Sequence, residues 1–115
     1  MVTAPAPCIP ERGDVVYLDF DPQAGREQKG RQPALVLSPI SYNRRVGLCV
    51  ACPITGQVKG YPFEVAIPSG QKVTGVILAD QVKSLDWQAR NASFLDRLPQ
   101  AVIADVLAKI DVLLR

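Results

Sequence analysis

The 115-residue chain contains no histidine. That absence removes the Ser-His-Asp triad, a Cys-His pair, a histidine zinc ligand and a two-histidine ribonuclease mechanism. Acid-base chemistry is left to carboxylates, arginine, lysine, tyrosine or the substrate itself. Long hydrophobic runs are missing too: none approaches the roughly 18 residues that span a bilayer, so no membrane role is expected. The first ten residues are proline-bearing and carry no basic residue, unlike the charged-then-apolar layout of a secretory signal. They read as a flexible arm over residues 1–11, preceding a single domain over 12–115, and the expected location is cytoplasmic. No repeat or low-complexity tract interrupts the domain. The glycines between Gly25 and Gly30 lack the lysine and helix that follow in a phosphate-binding loop.

Cysteine is scarce and odd in number: Cys8, Cys49 and Cys52. Without an export signal a disulfide framework is not expected. Cys49 and Cys52 form a C-x-x-C, the spacing of redox and zinc sites. Leu48 to Cys52 reads as strand, however, where residues three apart point to opposite faces, so buried thiols are the expectation. Two-metal nucleases need converging carboxylates. Asp19 and Asp21 share a strand face and are the local candidates, with two solvated acids ending a strand as the alternative. No metal site is expected.

Charge is present but uneven. The net charge is +2, yet Arg26 to Arg90 holds nine basic and four acidic residues. The first 25 residues hold one basic and four acidic, and the last 25 balance at three and three. The middle is a candidate surface for a polyanion or an acidic partner, with scattered surface cations as the alternative.

Strand and turn signals alternate through most of the chain. Val15 to Phe20 reads as a strand closed by Asp21-Pro22, followed by a polar loop from Gln23 to Arg31. Ala34 to Ser38 is a short apolar strand stopped by Pro39, and Ile40 to Gly47 a helical turn. Strands are expected over Leu48 to Ile54, Phe63 to Ile67 and Gly75 to Lys83, with Ser84 to Ala92 irregular or briefly extended. From Leu98 to Leu114 the apolar positions Val102, Ile103, Val106, Leu107, Ile110 and Leu114 recur at helical spacing, and Pro99 suits a helix start.

Four blocks stand in order: Asp19-Phe20-Asp21-Pro22, Pro33-Ala34-Leu35-Val36-Leu37-Ser38, Lys59-Gly60-Tyr61-Pro62-Phe63-Glu64-Val65 and Ala79-Asp80-Gln81-Val82-Lys83-Ser84. Each sets a polar residue at the edge of a strand-like stretch, which is how a small barrel holds a site on its rim. In this order and spacing they resemble the MazF/PemK family of toxin endoribonucleases, over roughly residues 12 to 115. The resemblance implies a mainly β (α+β) fold, an SH3-like small β-barrel with a C-terminal α-helix. It implies a toxin that cuts single-stranded RNA sequence-selectively without metal or cofactor, leaving 2′,3′-cyclic phosphate and 5′-hydroxyl ends. It further implies a homodimer with RNA in a groove at the two-fold interface, and a MazE-like antitoxin whose acidic tail competes for the same surface.

That chemistry suits a chain without histidine, because RNA brings its own nucleophile, the 2′-hydroxyl. The protein must supply a base, charge or donors for the phosphate oxygens, and an acid for the leaving oxygen. By resemblance Glu27 is the base and Thr55 contacts the phosphate, with a solvated acid and a self-bonded turn hydroxyl as the respective alternatives. The family also sets an arginine directly before the proline of the second strand. Here Gln32 holds that position and Arg31 stands one residue earlier, so Arg31 is expected to turn inward as the phosphate cation, with lower activity or a substitute arginine elsewhere as the alternatives. Gln32, Gln57, Lys59, Lys83 and Arg90 are the expected RNA contacts. Asp80 and Gln81 interrupt an apolar run and are expected to form a structural polar network. The branch of the family with an arginine two residues before this aspartate has its counterpart here in Leu78. Trp87 is expected in the core or a dimer interface. Two other functions remain: a gyrase poison of the same fold, whose members end in Trp-Gly-Ile whereas this chain ends Leu113-Leu114-Arg115, and a non-catalytic barrel that binds RNA or antitoxin.

Overall fold

The computed structural model describes residues 8–20 and 30–115. Strand β1 (Asp14–Phe20) pairs antiparallel with β2 (Gly30–Val36), and a short helix α1 (Ile40–Val46) leads into β3 (Cys49–Thr55). Then come β4 (Glu64–Ala66), β5 (Val76–Leu78), β6 (Lys83–Leu85), β7 (Ser93–Arg97) and the C-terminal helix α2 (Gln100–Leu113). The sheet order is β4-β5-β3-β2-β1-β7, with β6 also on β3. All described pairings are antiparallel. The sheet is mainly β with one C-terminal helix, as expected, and it does not close: β4 and β7 stand at its two edges.

Alternation along the strands divides the core in two. Val15, Leu35, Leu37, Cys52, Ile54 and Ile77 face α2, which buries Val102, Ile103 and Val106 against them. The other face carries Val16, Leu18, Phe20, Ala34, Val36, Cys49, Ala51 and Leu85 under Trp87. Cys49 and Cys52 therefore lie on opposite faces, and burial pushes both thiols up to about 12. At such values they stay protonated and inert at neutral pH.

Of the expected arm, residues 8–11 are described and residues 1–7 lie outside the description. Cys8 and Ile9 pack against the Trp87 side of the core. Asn43 in α1 is fully buried and ties four segments together. Its Nδ2 donates to the Pro10 carbonyl at 2.7 Å and to the Ser38 carbonyl at 3.0 Å. Its Oδ1 accepts from Ser38 Oγ at 2.6 Å, while its own carbonyl accepts Trp87 Nε1 at 3.0 Å. Trp87 is thus a core residue with a satisfied ring nitrogen.

Three elements differ from the sequence expectation. β2 begins at Gly30 because its polar start pairs with β1, with Asp19 opposite Arg31 and Leu18 opposite Gln32. β7 pairs only with β1 and is half-exposed along its length, so it lacks the strong apolar signal of a buried strand. The fifth expected strand is broken into β5 and β6 by a single 3₁₀ turn over Ala79–Gln81.

Candidate active site

The break between β5 and β6 builds one wall of a pocket. Ile77 stands opposite Ile54, so unbroken pairing would bring residue 80 opposite Ala51; Lys83 stands there instead. Three extra residues, Ala79, Asp80 and Gln81, therefore bulge from the ladder, and such bulges re-aim side chains beside sites. Ala79 anchors the bulge: it is fully buried and its amide donates to the Phe63 carbonyl at 3.0 Å.

The opposite wall is the loop after β3. Both Glu64 oxygens accept backbone amides, from Lys59 at 2.9 Å and from Gly60 at 2.8 Å, which fixes the loop's turn. Tyr61 Oη donates to Asp80 Oδ1 at 2.8 Å, joining loop to bulge. Burial, and then Asp80, push the Tyr61 phenol up to about 12, so it remains a protonated donor. Lys109 Nζ donates to the Pro62 carbonyl at 2.7 Å and ties α2 to the same loop. Between the walls lies an open pocket of about 350 Å³, lined by Thr55, Gln57, Lys59, Tyr61, Glu64, Leu78, Asp80 and Gln81. Gln81 Oε1 is buried and has no hydrogen-bond partner among the described residues.

Thr55 sits at the pocket mouth, where β3 ends. Its Oγ1 accepts the Gln57 amide at 3.1 Å. A hydroxyl has one donor and two acceptor sites, so this turn bond leaves its hydrogen free for an anion. Gly75 crosses closely behind it: a Cβ at position 75 would stand 2.2 Å from the Thr55 carbonyl oxygen.

Alternation separates Arg31 from Gln32. Arg31 lies on the α2 face, opposite Asp19, and its guanidinium is engaged there. It bonds Asp19 Oδ1, the Asn91 carbonyl and Ser93 Oγ, each at 2.9 Å, and lies 5.8 Å from the Tyr17 ring centroid. Asn91 Nδ2 holds the second Asp19 oxygen at 2.8 Å, and Arg90 Nη1 donates to the Asp19 carbonyl at 2.9 Å. Bonds from Asn91 and Arg31 keep the Asp19 carboxyl below its ordinary value.

Gln32 falls on the other face. The β2–β3 register sets Ala34 opposite Pro53, and alternation along each strand puts Gln32 and Thr55 on the face those two residues share. Lys83 shares that face too, opposite Ala51, with its Nζ 5.6 Å from the centroid of Phe20.

The structure thus brings together Thr55, Gln57, Lys59, Asp80 and Gln81 in one pocket, with Gln32 and Lys83 on the adjoining face. It sets Arg31 and Arg90 in a separate corner with Asp19. Glu27 and Asp21 lie outside the described residues, and among the described residues no three His, Cys, Asp or Glu side chains group in a way that could hold a metal ion. Tyr61, Glu64 and Gly75 are the residues that sequence reasoning passed over. The block from Lys59 to Val65 carried the signal for the first two.

An open antiparallel sheet backed by one helix, with a polar pocket at its rim and cations beside it, defines a small protein built to hold a polar or anionic ligand. Comparison with known proteins narrows the class. The family described as PemK-like, MazF-like toxin of type II toxin-antitoxin systems matches residues 11–114. The Escherichia coli K12 protein named endoribonuclease toxin MazF is 49% identical over 106 residues, which cover 92% of this chain and 95% of that protein. MazF of Deinococcus radiodurans matches with a TM-score of 0.89 and 52% identity, covering 93% of this chain and 97% of that one. A chain of the MazE-MazF complex from the same organism matches with a TM-score of 0.85 and 52% identity over 93% and 96%. The chain belongs to the PemK/MazF toxin family.

Proposed function

We propose that this protein is the toxin of a toxin-antitoxin pair and cleaves single-stranded RNA as an endoribonuclease. The observation that carries the reading is the rim pocket, which gathers Thr55, Gln57, Lys59, Asp80 and Gln81 in a chain close to proteins named endoribonuclease toxins. Its donors suit phosphate oxygens and its acceptors suit base amino groups, and single-stranded RNA offers both.

The reaction needs no metal. The RNA 2′-hydroxyl attacks the adjacent phosphorus, the bond to the 5′-oxygen breaks, and a 2′,3′-cyclic phosphate and a 5′-hydroxyl result. The proton leaving the 2′-hydroxyl goes to a base, which the family resemblance assigns to Glu27, and the departing 5′-oxygen takes up a proton. Thr55 donates its free hydroxyl hydrogen to a phosphate oxygen. Gln32, on the same face of the sheet, brings no charge.

The protein works as a homodimer in the cytoplasm, with Lys59 and Gln57 guiding the strand along the rim. A MazE-like antitoxin with an acidic tail neutralises it, as supported by the MazE-MazF complexes of a relative. The positive stretch between Arg26 and Arg90 suits both ligands. Incubating a long RNA with the purified protein in excess chelator and mapping the new ends tests the reading. Specific cuts are expected, and intact RNA held by the protein would leave a binding role in place of catalysis.

A further inference from the structure

We propose that Lys83 is the cation that neutralises the scissile phosphate, a catalytic role taken by neither Arg31 nor Gln32. The inference rests on the endoribonuclease reading and deepens it.

Charge builds on the phosphate oxygens as the 2′-hydroxyl attacks, and a fixed cation there is worth more than any neutral donor. That cation must lie on the face and at the sheet end that hold Thr55. Arg31 lies at the right end of the sheet but on the wrong face: strand alternation sends it to the α2 side, and three hydrogen bonds to Asp19, Asn91 and Ser93 occupy it there. Gln32 reaches the right face but is neutral. Arg90 donates to the Asp19 carbonyl in the same corner as Arg31. Lys59 shares its pocket with two carboxylates, Glu64 and Asp80, which offset its field at a bound anion.

Lys83 meets the requirement. Its partner across the ladder, Ala51, belongs to the same face as Phe20 and Ala34. The ladder sets Lys83 four residues from Thr55 along β3, but its Nζ lies 5.6 Å from the ring of Phe20, which closes β1 at the same end of the sheet where β3 closes at Thr55. No hydrogen bond or ion pair occupies the ammonium among the described residues; its recorded contact is the Phe20 ring. The three-residue bulge before β6 sets this placement, because without it residue 80 and not Lys83 would stand opposite Ala51.

Lys83→Met keeps the stem over Phe20 and removes the charge. It should lower single-turnover cleavage at saturating RNA by about 10²- to 10³-fold, with the thermal melt unchanged and RNA affinity within a few-fold of wild type. Lys83→Arg should retain most of the rate. Adding Gln32→Arg to Lys83→Met should restore at least tenfold, because it returns a cation to the same face. A Lys83→Met protein that cleaves at the wild-type rate, or one whose loss lies wholly in binding, overturns the proposal while leaving the endoribonuclease reading intact. Wild-type protein that never cuts RNA overturns that reading, and this proposal with it.

Discussion

Arg31 and Gln32 are adjacent in sequence and lie on opposite sides of the sheet. Their separation was hidden in the sequence because the start of β2 reads as polar loop, and the Arg31 partners Asn91 and Ser93 lie just before and at the start of β7, a strand with little apolar signal. That Thr55, Gln57 and Lys59 would stand near one another was legible, since they fall within five residues at the end of a readable strand, and they line one pocket. The Asp19 corner has a pH consequence. A carboxyl held low by Asn91 and Arg31 contributes stability above its unfolded value of about 3.9 and loses it as pH falls through the lower folded value. Acid unfolding followed by circular dichroism should show this contribution shrink in Arg31→Ala. Asn43 is a stronger stability residue. Asn43→Ala leaves the Pro10 carbonyl without its donor and the Ser38 hydroxyl hydrogen without its acceptor, although Ser38 Oγ keeps the Val50 amide, and urea denaturation should report a loss of about 2–4 kcal/mol. The thiols test the core assignment of the C-x-x-C: Cys49 and Cys52 should resist a thiol reagent at pH 8 until the protein unfolds, whereas rapid labelling of both would mean an accessible redox pair.

At the scale of elements, α2, β1 and β3 could be read from period and punctuation alone. The break between β5 and β6 could not, because it depends on tertiary bonds: the Ala79 amide on the Phe63 carbonyl and Tyr61 on Asp80. A run of apolar residues ending in Asp80-Gln81 reads equally well as one strand with a polar end. The bulge positions Asp80 and Gln81 on the pocket beside Leu78, and Lys83 on the adjoining face. β5 also depends on Gly75, whose φ is +114° and whose missing Cβ lets it cross the Thr55 carbonyl. Gly75→Ala must push the end of β3 away. It should destabilise the protein by more than about 1 kcal/mol and lower cleavage by displacing Thr55. Gly56→Ala meets nothing within 4 Å, and its stability should stay within about 0.5 kcal/mol of wild type. Equal effects of the two substitutions would show that the close approach is unimportant.

For the whole molecule, a sheet that buries both faces leaves its rim as the place for polar function, and the charge excess from Arg26 to Arg90 supplies the attraction to an anionic strand. The central claim is catalytic: RNA supplies the nucleophile, and the protein supplies a base and phosphate contacts with no metal. The most direct test is end chemistry on a long single-stranded RNA cut in excess EDTA. The account predicts undiminished cleavage, with 5′-hydroxyl ends that accept phosphate from a polynucleotide kinase and 2′,3′-cyclic phosphates on the other side of each cut. Cleavage abolished by EDTA and restored by magnesium, or products with 5′-phosphate ends, would contradict it.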